Sequence, residues 1–377
     1  MNRRFVNLVM HYAGGQYSVH HLDASQLFYK STEAAAKIGK QAIKEFPELR
    51  RVPAASFQFK PFRSSHYHLI RGADLFGPFG DSKILCVDGV GHNLVYDTVS
   101  HSAQAMPMMH TPKGPMAISL SIPCTQLHAT SAAACEYYGT DPSKESYIFQ
   151  RVKGNHSESV YIMDMSPRCL TPFEVLSFSS KGWLWRHLPP PPFLRDPMYE
   201  PRWDSAVAVK GNTIFVSPSI AQEKCIGTYS FDTVTQKWDK AGEWVLPFLG
   251  KAEFVPEFGL WFGFSPYRPY NLCATGSLDS PEVKSVFADL VPPEDWSFTD
   301  LYLVYLGSGR FCTAKYYHAG DDDAFDTGFV FNGVEVVHHD RARELRLIKS
   351  NDYQTGELLM IKHKSKCATN IGIKCVL

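Results

Sequence analysis

Three sets of residues have types and spacings that could carry chemistry. His66 and His68 stand two apart, so in a strand both imidazoles project from one face, a metal-compatible geometry. Asn93, Asp97 and His101 recur at every fourth residue, although an amide is a weak, neutral metal ligand. Asp321-Asp322-Asp323 gathers carboxylates, but without the further oxygen ligands at defined spacing that calcium takes. Each set has a plainer reading: a hydrogen-bonded strand pair, a turn aspartate and a solvated hairpin tip. His20-His21 and His338-His339 are adjacent, so their rings point to opposite faces and neither pair chelates from a strand. Trp183, Trp185, Trp238, Trp244 and Trp261 could line an aromatic cage, but wedges between packed sheets explain them more simply. No Walker-type phosphate loop and no Gly-x-Ser-x-Gly elbow occurs. The sequence therefore nominates no catalytic, cofactor-binding or metal-binding residue and implies no cofactor.

The elements that would position any site are announced by a repeated phrase. Tyr96-Asp97-Thr98-Val99-Ser100 returns as Phe231-Asp232-Thr233-Val234-Thr235, and the two aspartates stand 135 residues apart. That offset reads as three periods of about 45, the scale of propeller repeats. Trp238 and Gly242 follow Phe231 at seven and eleven residues, as Trp185 and Pro189 follow Phe178. Ala103 and Pro107 follow Tyr96 at the same spacings, and Leu22-Asp23 has the same start. The pattern predicts a strand ending in an aspartate-led turn, then a return strand carrying a large ring. Apolar and β-branched runs flank short turns at 13–16, 88–91, 210–212, 256–259 and 307–309, which predicts antiparallel hairpins. Their spacing gives six units, 4–30, 69–107, 117–189, 205–247, 252–291 and 301–347. The predicted fold is an all-β, six-bladed β-propeller occupying 1–377 as one domain, with seven blades as the alternative.

Two stretches interrupt the pattern. Residues 31–46 predict one amphipathic helix, with Ile38, Ala42, Ile43 and Phe46 on a face, a Ser31 or Thr32 cap and Pro47 as its stop. Residues 124–158, rich in Ser, Thr, Ala, Asn and Lys, predict an extended surface loop. Pro189 to Pro192 read as a stiff connector. At the end, 356–377 predicts a strand that closes the ring, with the alternating tail 370–377 beside Arg3–Met10.

Composition bounds the function. With 38 basic and 38 acidic residues, the chain lacks the basic excess that neutralises nucleic-acid phosphates. No stretch reaches the ~20 apolar residues of a membrane helix. Nine cysteines without a CxxC suggest neither a zinc ribbon nor a closed disulfide framework, and a reducing compartment fits best. The opening run is too short for a secretory signal; its lack of acidic residues leaves a mitochondrial address as the minor alternative to cytoplasm and nucleus.

The hairpin spacing, the Tyr/Phe-Asp-Thr turns, Trp183-Leu184-Trp185-Arg186-His187-Leu188 running into Pro189–Pro192, and the stretch Ala252 to Phe264 resemble one group. They are similar to the kelch-like propeller proteins of plants, a family expanded in grasses and labelled a domain of unknown function. The resemblance covers roughly 1–350 and rests on structural motifs. It implies a kelch-like propeller, and this chain departs from the usual kelch repeat in lacking the regular Gly-Gly pair in most units. Similar propellers follow F-boxes in ubiquitin-ligase adapters, but no such segment precedes the first hairpin here. Kelch-type iron-dependent specifier proteins carry Glu-x3-Asp-x3-His, where this chain has Asn93 in the first place. Secreted copper oxidases of this fold use axial Tyr and His ligands, and no spacing among the 15 His and 18 Tyr picks out such a set.

The expected function is a non-catalytic module that binds a protein partner of unknown identity through propeller loops, with no nucleic acid and no membrane. The alternatives are a metal-dependent propeller enzyme and an adapter that directs a partner to degradation in trans. Deleting residues 370–377 should abolish soluble expression if the tail completes the ring; an unchanged melting curve would refute that role.

Overall fold

The computed structural model describes residues 3–38, 53–62, 72–123, 158–179, 182–219, 225–279, 281–287, 296–319, 326–338, 358–369 and 372–377. The chain forms consecutive antiparallel meanders of four strands. The first holds β1 (Phe5–Tyr12), β2 (Gln16–Asp23) and β3 (Ala55–Phe59). The second holds β4 (Leu75–Phe79), β5 (Lys83–Val87), β6 (Asn93–Asp97) and β7 (Ser102–Met106). The third holds β8 (Ala117–Pro123), β9 (Glu158–Asp164), β10 (Phe173–Ser179) and β11 (Gly182–His187). The fourth holds β12 (Ala206–Lys210), β13 (Thr213–Ser217), β14 (Thr228–Asp232) and β15 (Lys237–Gly242). The fifth holds β16 (Leu249–Val255), β17 (Leu260–Phe264), β18 (Leu272–Thr275) and β19 (Val283–Phe287). The sixth holds the longer β20 (Trp296–Gly307), β21 (Arg310–Ala319), β22 (Asp326–His338) and β23 (Leu358–Thr369). The last strand, β24 (Ile373–Val376), returns to the first meander and pairs with β1 at Leu8↔Val376 and Val9↔Cys375. Segment 356–377 thus holds two strands in two different sheets, not one.

The second strands show why this sequence makes stacked sheets. Side chains alternate across a strand, so a sheet buried on both faces reads as an unbroken apolar run. In β5, Ile84 and Cys86 pack with the first meander, while Leu85 and Val87 pack with the third. In β9, Val160 and Ile162 face the second meander and Tyr161 and Met163 the fourth. Ile214 and Val216 of β13 face the third and Phe215 the fifth. Trp261 of β17 faces the fourth and Phe262 the sixth. In β21, Phe311 faces the fifth, and Cys312 and Ala314 face Val6 and Leu8 of the first. Val9 faces the second. The cores between neighbouring meanders therefore run in a closed cycle. First strands lie side by side at the centre: β12 and β16 pair in parallel at Ala206↔Gly250 and Val207↔Lys251. β4 and β8 approach so closely that a Cβ on Gly77 would sit 2.3 Å from Ser119 Oγ. The fold is all-β and has the arrangement of a β-propeller.

The repeated turns have identical chemistry. Asp97 Oδ1 accepts from the Val99 and Ser100 N–H groups at 2.9 and 3.1 Å. Asp232 Oδ1 accepts from Val234 and Thr235 at 2.9 and 2.7 Å. The return strand is equivalent too, with Tyr96 opposite Ala103 and Phe231 opposite Trp238. The Phe178 echo is out of register, because the tighter turn pairs Ser179 with Gly182 and sets Trp185 opposite Leu176. The 135-residue offset joins the second meander to the fourth, so it spans two meanders and not three. The long segment 124–157 between β8 and β9 lengthens the third. That segment, called a surface loop from its composition, lies outside the described residues, as do 39–46 of the expected helix. The described helix, α1, covers Thr32–Ile38 and rests Ala35 against Val337 and Ile361 of the sixth meander.

The spaced Trp and Pro work across meanders. Trp185 Nε1 donates to Pro107 O at 2.9 Å, and Trp238 Nε1 donates to Pro189 O at 2.9 Å. Each ring thus pins the end of the preceding outer strand. Trp185→Phe keeps most of the ring and loses the donor, and should cost about 1 kcal/mol. Trp185→Ala also empties a core site and should cost about 3–5 kcal/mol in denaturant melts.

Candidate functional site

In a four-stranded meander the start of the first and third strands and the end of the second and fourth lie at one end. Here that end carries the described parts of the connections between meanders, 60–62, 72–74, 107–116, 188–205 and 243–248, together with 13–15, 88–92, 165–172, 218–219, 225–227 and 265–271. We call it the linker face. The opposite face carries short turns such as 211–212 and the aspartate turns at 97 and 232. Large exposed apolar side chains concentrate on the linker face: Phe62, Met108, Leu170, Met198, Trp203 and Tyr267. Leu170 is 89% exposed and Trp203 70%. With Tyr12 they are seven of the eleven such side chains among the described residues.

These loops are held from beneath by buried charge. Asp88 Oδ1 accepts from the N–H groups of Val90, Gly91 and His92 at 2.9–3.0 Å, and its Oδ2 accepts from Phe62 N at 3.1 Å. Asp164 Oδ2 accepts from Gly114 N at 2.5 Å and its Oδ1 from Ser166 N at 2.9 Å. Lys315, fully buried on β21, donates to Pro269 O and Tyr270 O at 3.1 and 2.9 Å. Its ammonium also lies 5.5 Å from the ring centres of Phe264 and Phe298, a cation–π setting.

The densest of these anchors joins 107–116 to the start of β10. Glu174 is fully buried, and its Oε2 accepts from Lys113 Nζ, itself buried, and from Thr171 Oγ1 at 3.4 Å. Lys113 Nζ also donates to Thr111 O and Thr171 O at 3.0 and 2.7 Å. The other carboxylate oxygen, Oε1, faces two half-exposed rings: His110 Nδ1 at 2.6 Å and His187 Nδ1 at 3.7 Å. The two imidazole centroids are 4.1 Å apart. All three donor atoms fall within 4.8 Å of one another, the spacing of a metal-ligand set. Beside them, burial pushes the Cys169 thiol up to about 11, with Asp164 adding to the effect. Its thiolate is suppressed, so this sulfur is no nucleophile at neutral pH.

Among the described residues, no sequence-nominated group assembles in this way. Asn93 and Asp97 occupy opposite ends of β6, about 13 Å apart. Asn93 Nδ2 donates to Gly91 O and Pro107 O, while His101 Nδ1 lies 3.0 Å from Tyr96 OH. No iron could bridge them. His20 is buried against Ser18 and Pro53 O, and His21 bonds Asn7 on the other side. Trp185, Trp238 and Trp261 each give the indole N–H to a backbone carbonyl and form no cage. His66, His68, His339 and Asp321–Asp323 lie outside the described residues. The cluster at Glu174 was missed because its members are 64 and 13 residues apart. The available signal was a carboxylate at the head of the apolar run Phe173 to Leu176.

Across residues 3–368 the sequence matches a family described as "Protein of unknown function (DUF1668)". The chain belongs to the DUF1668 family. No curated protein matches the DUF1668 chain by sequence. Among solved structures it is similar to the WD40 domain of SCAP from fission yeast, with 8% identity and a TM-score of 0.35. That match covers 88% of this chain and 63% of the other, and at this score it carries no weight for fold or function. No helix among the described residues is long and apolar enough to cross a membrane.

The Lys113–Glu174 pair yields a direct test. Lys113→Met removes the buried cation beside the Glu174 carboxylate and should cost about 3–5 kcal/mol. Adding Glu174→Leu should recover most of that loss in a double-mutant cycle of denaturant melts. A double variant as unstable as the single would contradict the pairing.

Proposed function

We propose that this DUF1668 chain is a non-catalytic, six-bladed, kelch-like propeller that binds a protein partner through its linker face. The observation that carries this reading is the concentration of exposed apolar side chains on loops held rigid by buried charge. Large apolar side chains left exposed on one face of a folded domain are the kind of surface a partner covers. Preorganised loops lose little conformational freedom on binding, so more of the contact energy appears as affinity. In this reading each meander is one blade and β24 completes the first. The resemblance to plant kelch-like propellers supports the same assignment.

The thiols support a reducing compartment, cytoplasm or nucleus. Cys86, Cys273, Cys312 and Cys375 are buried and unbridged. Desolvation raises all four, Cys273, Cys312 and Cys375 to about 12, so they act as small apolar fillers.

The test is quantitative mass spectrometry of proteins co-purifying with the tagged full-length chain from plant cells. A near-stoichiometric partner should be lost from the Leu170→Asp, Trp203→Asp double variant by tenfold or more. It should be retained by Val99→Asp, whose exposed position lies on the opposite face. Equal retention by both, or no stoichiometric partner at all, would overturn the proposal.

A further inference from the structure

We propose that His110, Glu174 and His187 form a binding site for a divalent transition-metal ion of the zinc type on the linker face. The site shares the linker face with the exposed apolar side chains, but its argument and its test do not depend on the reading above.

Two imidazoles and one carboxylate are a donor set that suits zinc and its first-row neighbours, and hard calcium or magnesium poorly. Ligands around a tetrahedral ion with bonds of about 2.0–2.1 Å stand roughly 3.3 Å apart. The nitrogen-to-oxygen distances here are 2.6 Å for His110 and 3.7 Å for His187, one below and one above that value. A small outward rotation of one ring and an inward rotation of the other closes the set. Both rings have room to do this, with side chains 44% and 54% exposed.

The carboxylate, by contrast, is fixed. Lys113 and Thr171 occupy Oε2, and Lys113 is itself tied to two backbone carbonyls. Oε1 is therefore presented toward the rings with its orientation set in advance. Groups that orient a ligand from behind are a regular part of metal sites. Lys113 also offsets the carboxylate charge in the buried interior. The three ligands come from a linker, from the head of β10 and from the end of β11, so the ion would join three separate chain segments. Both rings face solvent, which leaves a fourth position for water or for a donor from a partner.

The experiment is titration of the purified full-length chain with Zn²⁺ by calorimetry, and with Co²⁺ by visible absorption. One equivalent should bind, with Co²⁺ bands of tetrahedral intensity. His110→Ala and His187→Ala should each weaken binding by at least tenfold, as changes even to supporting residues do. His92→Ala removes another half-exposed histidine of the same face, bonded to Asp88, and should leave binding unchanged. All three variants should keep a cooperative melting transition, so that lost binding reports a lost ligand and not an unfolded chain. Absence of stoichiometric binding, or binding unaltered in both His110→Ala and His187→Ala, would overturn the site. Partner capture plays no part in this readout, so the two proposals fail independently.

Discussion

Every sheet in this protein is apolar on both faces, and that single constraint dictates the architecture. A sheet with one apolar face can stop against solvent, but a sheet with two needs a neighbour on each side. A row of such sheets would leave its first and last members half exposed. Only a closed cycle satisfies all of them, and the packing of Val6 and Leu8 against Cys312 and Phe329 is where the cycle closes. Hydrogen bonding closes nearby. β24 covers the edge of β1, and Arg3 N donates to Leu306 O at 2.7 Å across the same junction. The ends of the chain are thus locked together by ladder and core at once.

Closure leaves the two faces of the ring with different duties. Turns on one face need only reverse a strand, and an aspartate accepting two N–H groups is enough. The linker face must carry the chain from the outer edge of one sheet to the centre of the next. Those longer spans bring backbone groups into the interior, where they need partners. Asp88, Asp164, Lys113 with Glu174, and Lys315 supply them. Buried charge is costly unless compensated, and here each charged group bonds several times. Rigid loops with apolar tips are a by-product of that solution.

Local chemistry was legible in the sequence and long-range assembly was not. The turns at Asp97 and Asp232 could be read because they satisfy themselves within four residues. The hairpins at Gly14-Gly15 and Gly211 could be read because a positive φ selects glycine there. The Trp-to-Pro spacing was visible as a pattern, but its meaning lies between meanders, where Trp238 meets Pro189. The third copy misled, since a tighter turn shifts Trp185 opposite Leu176. Strand β3 went unread: five residues follow the helical segment without a turn signal beside them. Strand β23 lies at a sheet edge and carries Lys364 and Lys366, and lysines on an edge discourage pairing with another chain. Nothing in the order of residues says that His110 and His187 will meet over Glu174. That meeting needs the register of β10 against β11, with Glu174 opposite His187.

One strand length has a further meaning. β20 to β23 run for 10–13 residues, where strands elsewhere run for 4–8. At the short-turn end they finish level with the fifth meander, since Gly309 lies against Phe258. The surplus therefore rises past the linker face, where Trp296 stacks on Tyr317 at 4.0 Å and Phe298 and Val330 pack beside Tyr270. A ring of similar sectors would offer an incoming molecule several rotational settings of nearly equal energy. One tall sector would remove that degeneracy. In the proposed docking it would work as the key of a shaft, giving a near-symmetric disc a front and a back.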